Sequence, residues 1–161
     1  MMRVTLVLVA VCASAVTALT SQAPASRDPR FVGNWRLVAF VNIDEKGVAT
    51  PSRFTGGRIM YDAAGQMAAQ LTYADRPALP VSPTEAQRAA AYAGYVAYYG
   101  AYEIDAATSK VTHYVEGSTN PSWPKTELVR YFEFAADGTL RLSIRNAAGR
   151  VTGTLTWARV R

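Results

Sequence analysis

The sequence is poor in the residues from which most small catalytic and metal sites are built. It contains a single cysteine, Cys12, and a single histidine, His113. Cys12 lies in a segment that we predict to be removed, so the mature chain has no disulfide, no thiolate nucleophile and no cysteine-bound zinc. With one histidine, a zinc site would have to be completed by carboxylates, and we predict neither a metal nor a cofactor.

Charge is also scarce and thinly spread. Charged residues make up 18% of the chain, the net charge is +5, and the basic residues from Arg27 onward occur one at a time. This distribution does not predict nucleic-acid binding, which needs a concentrated basic surface. The sequence also lacks a phosphate-binding loop, a dinucleotide-binding fingerprint and a Ser-His-Asp arrangement, so nucleotide-dependent and serine-hydrolase functions have no support.

Residues 1–25 have the pattern of a secretory signal peptide and the start of a linker. Arg3 supplies the charged start, and residues 4–11 form an apolar run that is too short for a spanning helix. Small residues suited to cleavage follow at Ala18, Ala23 and Ala25. We therefore expect an exported protein, periplasmic or secreted, with no membrane span after cleavage; an uncleaved N-terminal anchor is the alternative. Residues 26–161 form one domain whose oligomeric state stays open.

Short segments of alternating polarity fill this domain and predict an all-β fold. Turn residues separate eight or nine such segments, a pattern typical of an antiparallel up-and-down barrel or a sandwich. Gly33 and Trp35 begin the first segment, and Arg159 lies in the last. A glycine beside a large indole suits the narrow end of a closed sheet, and an arginine can stack on that indole. We therefore predict a barrel closed at Gly33, Trp35 and Arg159, with an ordinary strand and core tryptophan as the alternative.

One helix is predicted, near residues 83–97. Ser82 as N-cap, Pro83 at the first helical position and Glu85 three residues after Ser82 form a capping box, and an alanine-rich run follows from 86 to 96. Such a helix could lie across the barrel mouth or pack on the outer wall.

The middle strands have an unusual mixture of residues on the faces that should point inward. Alternation places His113 on one face with Val111 and Val115, and places Arg130 on one face with Leu128 and Phe132. Buried polar groups need partners, whereas a ligand cavity needs a few polar groups within an apolar wall. The mixture therefore indicates a cavity.

Several motifs resemble one known family. They are residues 112–123 (THYVEGSTNPSW), 33–37 (GNWRL), 57–61 (GRIMY), 65–71 (GQMAAQL), 99–104 (YGAYEI), 126–130 (TELVR) and 155–159 (LTWAR). Together they resemble the bacterial lipocalin-like domain family, small ligand-binding β-barrels of the calycin group. The resemblance covers nearly all of the mature chain. It implies a barrel with Trp35 and Arg159 at its closure and a cavity for a small, mostly apolar molecule, and it implies little about any reaction. A second histidine often follows the first in this family; Tyr114 stands there in this chain, which weakens any histidine-pair metal site.

The candidate ligand-binding residues are polar groups that the barrel could carry inside. They are His113, Arg130, Tyr61, Gln70, Tyr102 and Glu116. His113 could be a general base, a hydrogen-bonding group for a ligand or an axial haem ligand, or it could be a structural histidine satisfied by Glu116 or Glu103. Arg130 could hold a ligand carboxylate through two hydrogen bonds, or it could pair with Glu116 or Glu103.

Three functional classes remain open at this point. The first is an exported binder of a small, mostly hydrophobic or amphipathic molecule, which the sequence favours. The second is an isomerase or cyclase that uses His113 with a tyrosine or Glu116 in the same cavity. The third is an envelope interaction or inhibitor module whose barrel is filled by side chains.

Overall fold

The fold is a closed antiparallel β-barrel in a computed structural model that describes residues 28–161. The strands are β1 (Gly33–Ile43), β2 (Ala49–Pro51), β3 (Phe54–Tyr61), β4 (Gln66–Tyr73), β5 (Tyr95–Asp105), β6 (Lys110–Ser118), β7 (Glu127–Phe134), β8 (Leu140–Arg145) and β9 (Val151–Arg159), and the helix is α1 (Glu85–Ala93). The predicted signal peptide and linker, residues 1–25, lie outside the described residues.

Eight strands form the barrel, and the short β2 is an additional strand beside the end of β1. The order within the sheet is β2-β1-β3-β4-β5-β6-β7-β8-β9, and β1 also pairs with β9. Trp35 lies opposite Arg159 in this last pairing, and Leu37 lies opposite Trp157. The predicted closed all-β barrel is therefore confirmed.

The inward faces follow the alternation of the sequence. In β8, Leu140 and Leu142 are buried and the residue between them is exposed; in β9, Leu155 and Trp157 are buried. Val111, His113 and Val115 are buried in β6, as alternation predicts. Since every strand of the barrel has one face on the core, apolar residues at every second position fix its register.

The barrel is closed at the end where β1 begins and β9 ends. The guanidinium carbon of Arg159 lies 4.3 Å from the ring centroid of Trp35. Arg159 also donates through Nη1 to the carbonyl of Val32 at 2.7 Å and through Nη2 to the carbonyl of Arg30. Gly33 has a φ of +132°, and a Cβ there would lie 2.6 Å from Arg159 Nη1. Glycine is therefore required both by the backbone conformation and by the close approach of Arg159.

Aromatic side chains fill this closed half of the barrel. Phe31 makes edge-to-face contacts with Tyr61, Phe132 and Phe134 at centroid distances of 5.2, 5.0 and 5.2 Å. Trp35 donates through Nε1 to the carbonyl of Phe31 at 2.8 Å. Edge-to-face pairs of this kind add to the stabilisation from burial, so the closed half is a packed core and leaves the opposite half for a cavity.

The helix differs from the prediction at both ends. Thr84 is the N-cap: its hydroxyl accepts from the backbone N–H of Gln87, and the side chain of Gln87 accepts from the backbone N–H of Thr84. The predicted cap at Ser82 is therefore wrong. The sequence contains two overlapping cap patterns, and the one starting at Thr84 forms both hydrogen bonds of a capping box.

The predicted helix end at Val96 is also wrong. Gly94 caps the helix, and Tyr95 and Val96 belong to β5, where they pair with Thr72 and Leu71 of β4. Aromatic and β-branched residues suit a strand, and the backbone pairing with β4 gives them partners that a longer helix would not.

Helix α1 is fastened beside the end of the barrel opposite the closure. Arg76 Nε donates to the carbonyl of Ala91 at 2.9 Å, and the Tyr92 hydroxyl donates to the carbonyl of Thr119 in the connection between β6 and β7. No helix within residues 28–161 is long and apolar enough to span a membrane.

Candidate functional site

A cavity of about 200 Å³ occupies the half of the barrel away from the closure. All eight strands of the barrel contribute to its wall, together with the connection between β6 and β7. The side chains that line it are Phe40, Phe54, Ile59, Ala69, Leu71, Val96, Tyr98, His113, Trp123, Arg130, Leu142, Ile144, Leu155 and Trp157. Eleven of these fourteen are apolar or tryptophan, so the cavity suits a mostly apolar molecule with a few polar contacts.

His113 lies at the base of this cavity and is fully buried, with 0% exposure. Its Nε2 lies 2.8 Å from the hydroxyl of Tyr61, and its Nδ1 lies 3.1 Å from the hydroxyl of Tyr98. Tyr61 belongs to the packed half of the barrel, whereas Tyr98 lines the cavity. The three side chains therefore form a hydrogen-bonded chain that runs from the core to the cavity.

All three groups of this chain are neutral at physiological pH. Burial lowers the pKa of His113 to about 3, and the positive charge of Arg130 acts in the same direction. Burial raises the pKa of Tyr61 well above its usual value, and the nearby Tyr98 phenol raises it further. Burial also raises the pKa of Tyr98, although the Arg130 guanidinium partly offsets this effect. Because a neutral imidazole has one N–H and one bare nitrogen, one tyrosine donates to His113 and the other accepts from it.

The partners of His113 differ from those considered in the sequence. Neither Glu103 nor Glu116 satisfies the imidazole; the Tyr114 hydroxyl donates to Glu103 at 2.9 Å on the outer face of the sheet. Both ring nitrogens of His113 are engaged by tyrosine hydroxyls, so coordination of a haem iron would require one of these hydrogen bonds to break.

Arg130 is the charged side chain that lines the cavity. It lies on the inward face of β7 and is partly exposed. Its Nη1 donates to the carbonyl of the preceding residue, Val129, at 2.9 Å. Within residues 28–161, no carboxylate lies within ion-pair distance of its guanidinium. The predicted alternative of an ion pair with Glu103 or Glu116 is therefore not what the structure shows.

The remaining predicted site residues lie away from the cavity. Tyr102 is buried, and its hydroxyl donates to the carbonyl of Asp62 at 2.8 Å, near the closed end. Gln70 is exposed on the outer face of β4, where its side-chain oxygen accepts from the Tyr95 hydroxyl at 2.9 Å. Glu116 is exposed on the outer surface. The structure thus places His113 and Arg130 in the cavity wall and Tyr61 against His113. Tyr102 packs on Tyr61 at a centroid distance of 4.8 Å outside the cavity, and Gln70 and Glu116 lie on the outer face.

Tyr98, Trp157 and Trp123 line the cavity but were not among the candidate site residues. Tyr98 shares the inward face of β5 with Tyr102, a relation that alternation could have shown. Trp157 lines the cavity, and its buried indole N–H has no hydrogen-bond partner among the described residues. Trp123 is a further wall residue, in an edge-to-face contact with Tyr98 at 5.6 Å.

The comparison with protein families agrees with this architecture. A family model described as the lipocalin-like domain matches residues 32–160. The chain belongs to the lipocalin-like domain family. No curated protein matches the chain.

The lipocalin-like barrel suggests small-ligand binding, and its cavity has room to enclose a small molecule. No group of three or more His, Cys, Asp or Glu residues within 28–161 is arranged to hold a metal ion. The polar groups that line the cavity of this lipocalin-like domain are the hydrogen-bonded His113 and Tyr98 and the guanidinium of Arg130.

Proposed function

We propose that this domain is an exported binder of a small, mostly hydrophobic molecule. The observation that carries the proposal is the apolar cavity with the neutral His113–Tyr98 pair at its base. Aromatic side chains fill the closed half of the barrel, whereas the aromatic side chains on the other side of His113 line a cavity of about 200 Å³. A cavity with a few fixed polar groups in an apolar wall is the usual form of a small-molecule site.

The size of the cavity limits the ligand. An engineered apolar cavity of about 150 Å³ binds benzene, so the space here suits a molecule with one ring or a short aliphatic body. Binding in such a cavity gains from the removal of apolar surface from water, at roughly 25 cal/mol per Å².

Two neighbouring alanines of β4 provide a matched test. Ala69 points into the cavity and is buried, whereas Ala68 points to the outer face. Purified mature protein is incubated with a mixture of small apolar metabolites and analysed by native mass spectrometry, as wild type, Ala69→Leu and Ala68→Leu. We expect an adduct of one small molecule on the wild type and on Ala68→Leu, and none on Ala69→Leu, because leucine fills the cavity.

The contrary results are equally specific. If no adduct forms on folded wild-type protein with any mixture, the binder proposal is wrong and the interaction or inhibitor function gains support. If Ala69→Leu retains the adduct at full occupancy and melts like the wild type, the ligand binds elsewhere on the protein.

Export belongs to the same proposal. It is supported by the charged start, apolar run and small residues of segment 1–25, and a bacterial periplasm or the medium agrees with the family resemblance. The full chain is expressed in a bacterium, and the mass of the product in each cell fraction is measured. We expect a shortened product, cleaved after Ala18, Ala23 or Ala25, outside the cytoplasm; a full-length product in the cytoplasm would contradict export.

A second candidate function is an isomerase or cyclase. The hydrogen-bonded chain Tyr61–His113–Tyr98 favours it, because a neutral imidazole can accept a proton at one nitrogen and release one from the other. The test is incubation of the bound molecule in heavy water with wild type and His113→Gln. Deuterium incorporation by wild type alone would support the enzyme, and its absence in both would support the binder.

A further inference from the structure

We infer that the ligand of the cavity is an organic anion, a monocarboxylate with a single-ring or short-chain apolar body, whose carboxylate is held by Arg130. This inference rests on the proposed function and names its ligand class.

The first argument is the absence of a counter-ion for Arg130 inside the barrel. Its guanidinium has five N–H donors, and its neighbours within residues 28–161 are neutral: it donates to the carbonyl of Val129 and interacts with the hydroxyl of Tyr98. Other side chains on the same cavity wall are apolar, among them Leu142 and Ile144. A cation beside apolar surface is unfavourable until an anion or other acceptor joins it, and a carboxylate matches its fork of donors with two parallel hydrogen bonds.

The second argument is the position of the acidic residues nearest in the fold. Glu127 and Glu133 are exposed on the outward face of β7, and Glu133 lies 3.6 Å from Arg141. Glu103 accepts from Tyr114 on the outer face of the sheet, and Glu116 is exposed. The cavity wall itself contains no acidic side chain. The interior therefore carries one uncompensated positive charge, and this charge selects a ligand of opposite sign.

The third argument is the orientation of the site. Arg130 is partly exposed, whereas Ile59, Leu155 and Trp157 deeper in the cavity are buried. A carboxylate bound at Arg130 is only partly removed from water, while the apolar body of the ligand contacts the buried side chains. This arrangement avoids the desolvation cost that a deeply buried ion pair would have.

The hydrogen-bonded chain below the cavity can complete the same site. If Tyr98 donates its hydroxyl proton to the carboxylate, its oxygen is free to accept from His113 Nδ1–H, and Tyr61 then donates to the bare Nε2. In this arrangement every donor of the chain has an acceptor. The bound acid thus determines the tautomer of His113, with the proton on Nδ1.

The volume distinguishes this ligand from a long-chain fatty acid. A cavity of about 200 Å³ accommodates one ring or a short chain, and the aromatic packing of Phe31, Tyr61 and Phe132 blocks extension toward the closed end.

The test compares cyclohexanecarboxylate with cyclohexanemethanol, two molecules of nearly the same shape that differ in charge. Their affinities at pH 7 are measured by calorimetry for wild type, Arg130→Gln and Arg145→Gln; Arg145 lies on the outer face of β8, stacked on Tyr131. We expect wild type to bind the acid at least tenfold more tightly than the alcohol. Arg130→Gln should weaken the acid by about ten- to a hundredfold, as for the loss of a charge-assisted hydrogen-bonded pair, and leave the alcohol unchanged. Arg145→Gln should change neither.

A second readout needs no variant. Nitrogen-15 spectra of His113 in wild-type protein should show a mixed or different tautomer in the free protein and Nδ1 protonated in the acid complex.

Equal affinities of wild type for acid and alcohol would overturn the inference and leave the binder proposal standing. Binding of neither compound, together with no adduct in native mass spectrometry, would overturn both. Tighter binding of palmitate than of cyclohexanecarboxylate would overturn the size limit that the inference includes.

Discussion

The hydroxyl of Tyr61 lies 2.8 Å from Nε2 of His113, and both side chains are buried inside the barrel. The two residues are 52 positions apart and come from β3 and β6, which are not neighbours in the sheet. Their contact therefore crosses the barrel interior. It forms the floor of the cavity, with the packed aromatic residues on one side and the ligand space on the other.

Replacement of the two tyrosines that contact His113 should have different effects. Tyr61→Phe leaves a buried imidazole nitrogen without a partner, which should cost about 1–3 kcal/mol of unfolding free energy. Tyr98→Phe should cost less, because water in the cavity can replace the lost hydroxyl, and it should weaken ligand binding more. Urea unfolding and calorimetry on both variants measure the two effects. A larger loss of unfolding free energy for Tyr98→Phe than for Tyr61→Phe would show that Tyr98, and not Tyr61, is the partner on which the buried imidazole depends.

The low pKa of His113 predicts a loss of stability in mild acid. Burial lowers this pKa from 6.5 to about 3 in the folded protein. Between these values the unfolded chain binds a proton that the folded chain does not. The contribution of His113 to the free energy of unfolding is therefore fully present above pH 6.5. It falls by about 1.4 kcal/mol for each pH unit between pH 6.5 and about pH 3.

Denaturant unfolding at several pH values tests this dependence. Asp28, Asp105 and Asp137 have lowered pKa values, mainly through hydrogen bonds with Arg30, Thr108 and Thr139, so their own contribution is lost only below about pH 4. The range from about pH 4.5 to 6.5 therefore isolates His113. His113→Gln should show a flat profile there, and a wild-type profile equally flat would contradict a buried neutral histidine.

Trp35 and Trp157 offer a comparison at equal burial, since each is 1% exposed. Trp35 Nε1 donates to the carbonyl of Phe31, whereas Trp157 Nε1 has no partner among the described residues. Both tryptophan-to-phenylalanine changes remove similar volume, but only Trp35→Phe leaves a carbonyl unpaired. We expect Trp35→Phe to cost at least about 1 kcal/mol more in thermal or urea unfolding. Equal costs would indicate that the Trp157 N–H is bonded to water in solution.

Gly33→Ala tests the closure of the barrel. The new Cβ would lie 2.6 Å from Arg159 Nη1 and force this side chain away from the carbonyls it contacts. Gly138 is the matched control for backbone strain alone, because its φ is +81° and a Cβ added to it would have no other atom within 4 Å. We expect about 1–2 kcal/mol for Gly138→Ala and clearly more for Gly33→Ala in equilibrium unfolding. Equal costs would show that Arg159 moves aside freely.

Much of the barrel could be predicted from the sequence because its information is local. Strands with one buried face require alternation, and glycine-containing turns separate them, so β8 and β9 were predictable from their own residues. The helix was harder. Ser82 and Thr84 both begin plausible caps, and the choice between them depends on where β4 ends and how the intervening loop packs. The sequence pattern of the helix continues through Tyr95 and Val96. These two residues nevertheless belong to β5, because they form backbone pairs with β4.

The contacts of the site could not be predicted in the same way. Alternation places His113 and Tyr61 inside, but it does not determine which inward residues meet across the barrel, since this depends on strand tilt and stagger. Of the two carboxylates considered as partners of His113, Glu103 lies on β5 like Tyr98, but its side chain is on the outer face, where it accepts from Tyr114. The actual partners, Tyr61 and Tyr98, are inward residues of β3 and β5. Tyr61 was among the candidates, and the position of Tyr98 on the same face as Tyr102 was a signal that could have added it.

The closure by Arg159 also determines when the domain can complete its folding. This side chain bonds the carbonyls of Val32 and Arg30, which lie 127 and 129 positions earlier. Pairing of such distant segments has a large loop-closure entropy and forms late in folding. Until β9 is available, β1 lacks its neighbour on one side. A domain truncated before β9 would therefore be an open sheet in which β1 and β8 each have an unpaired edge.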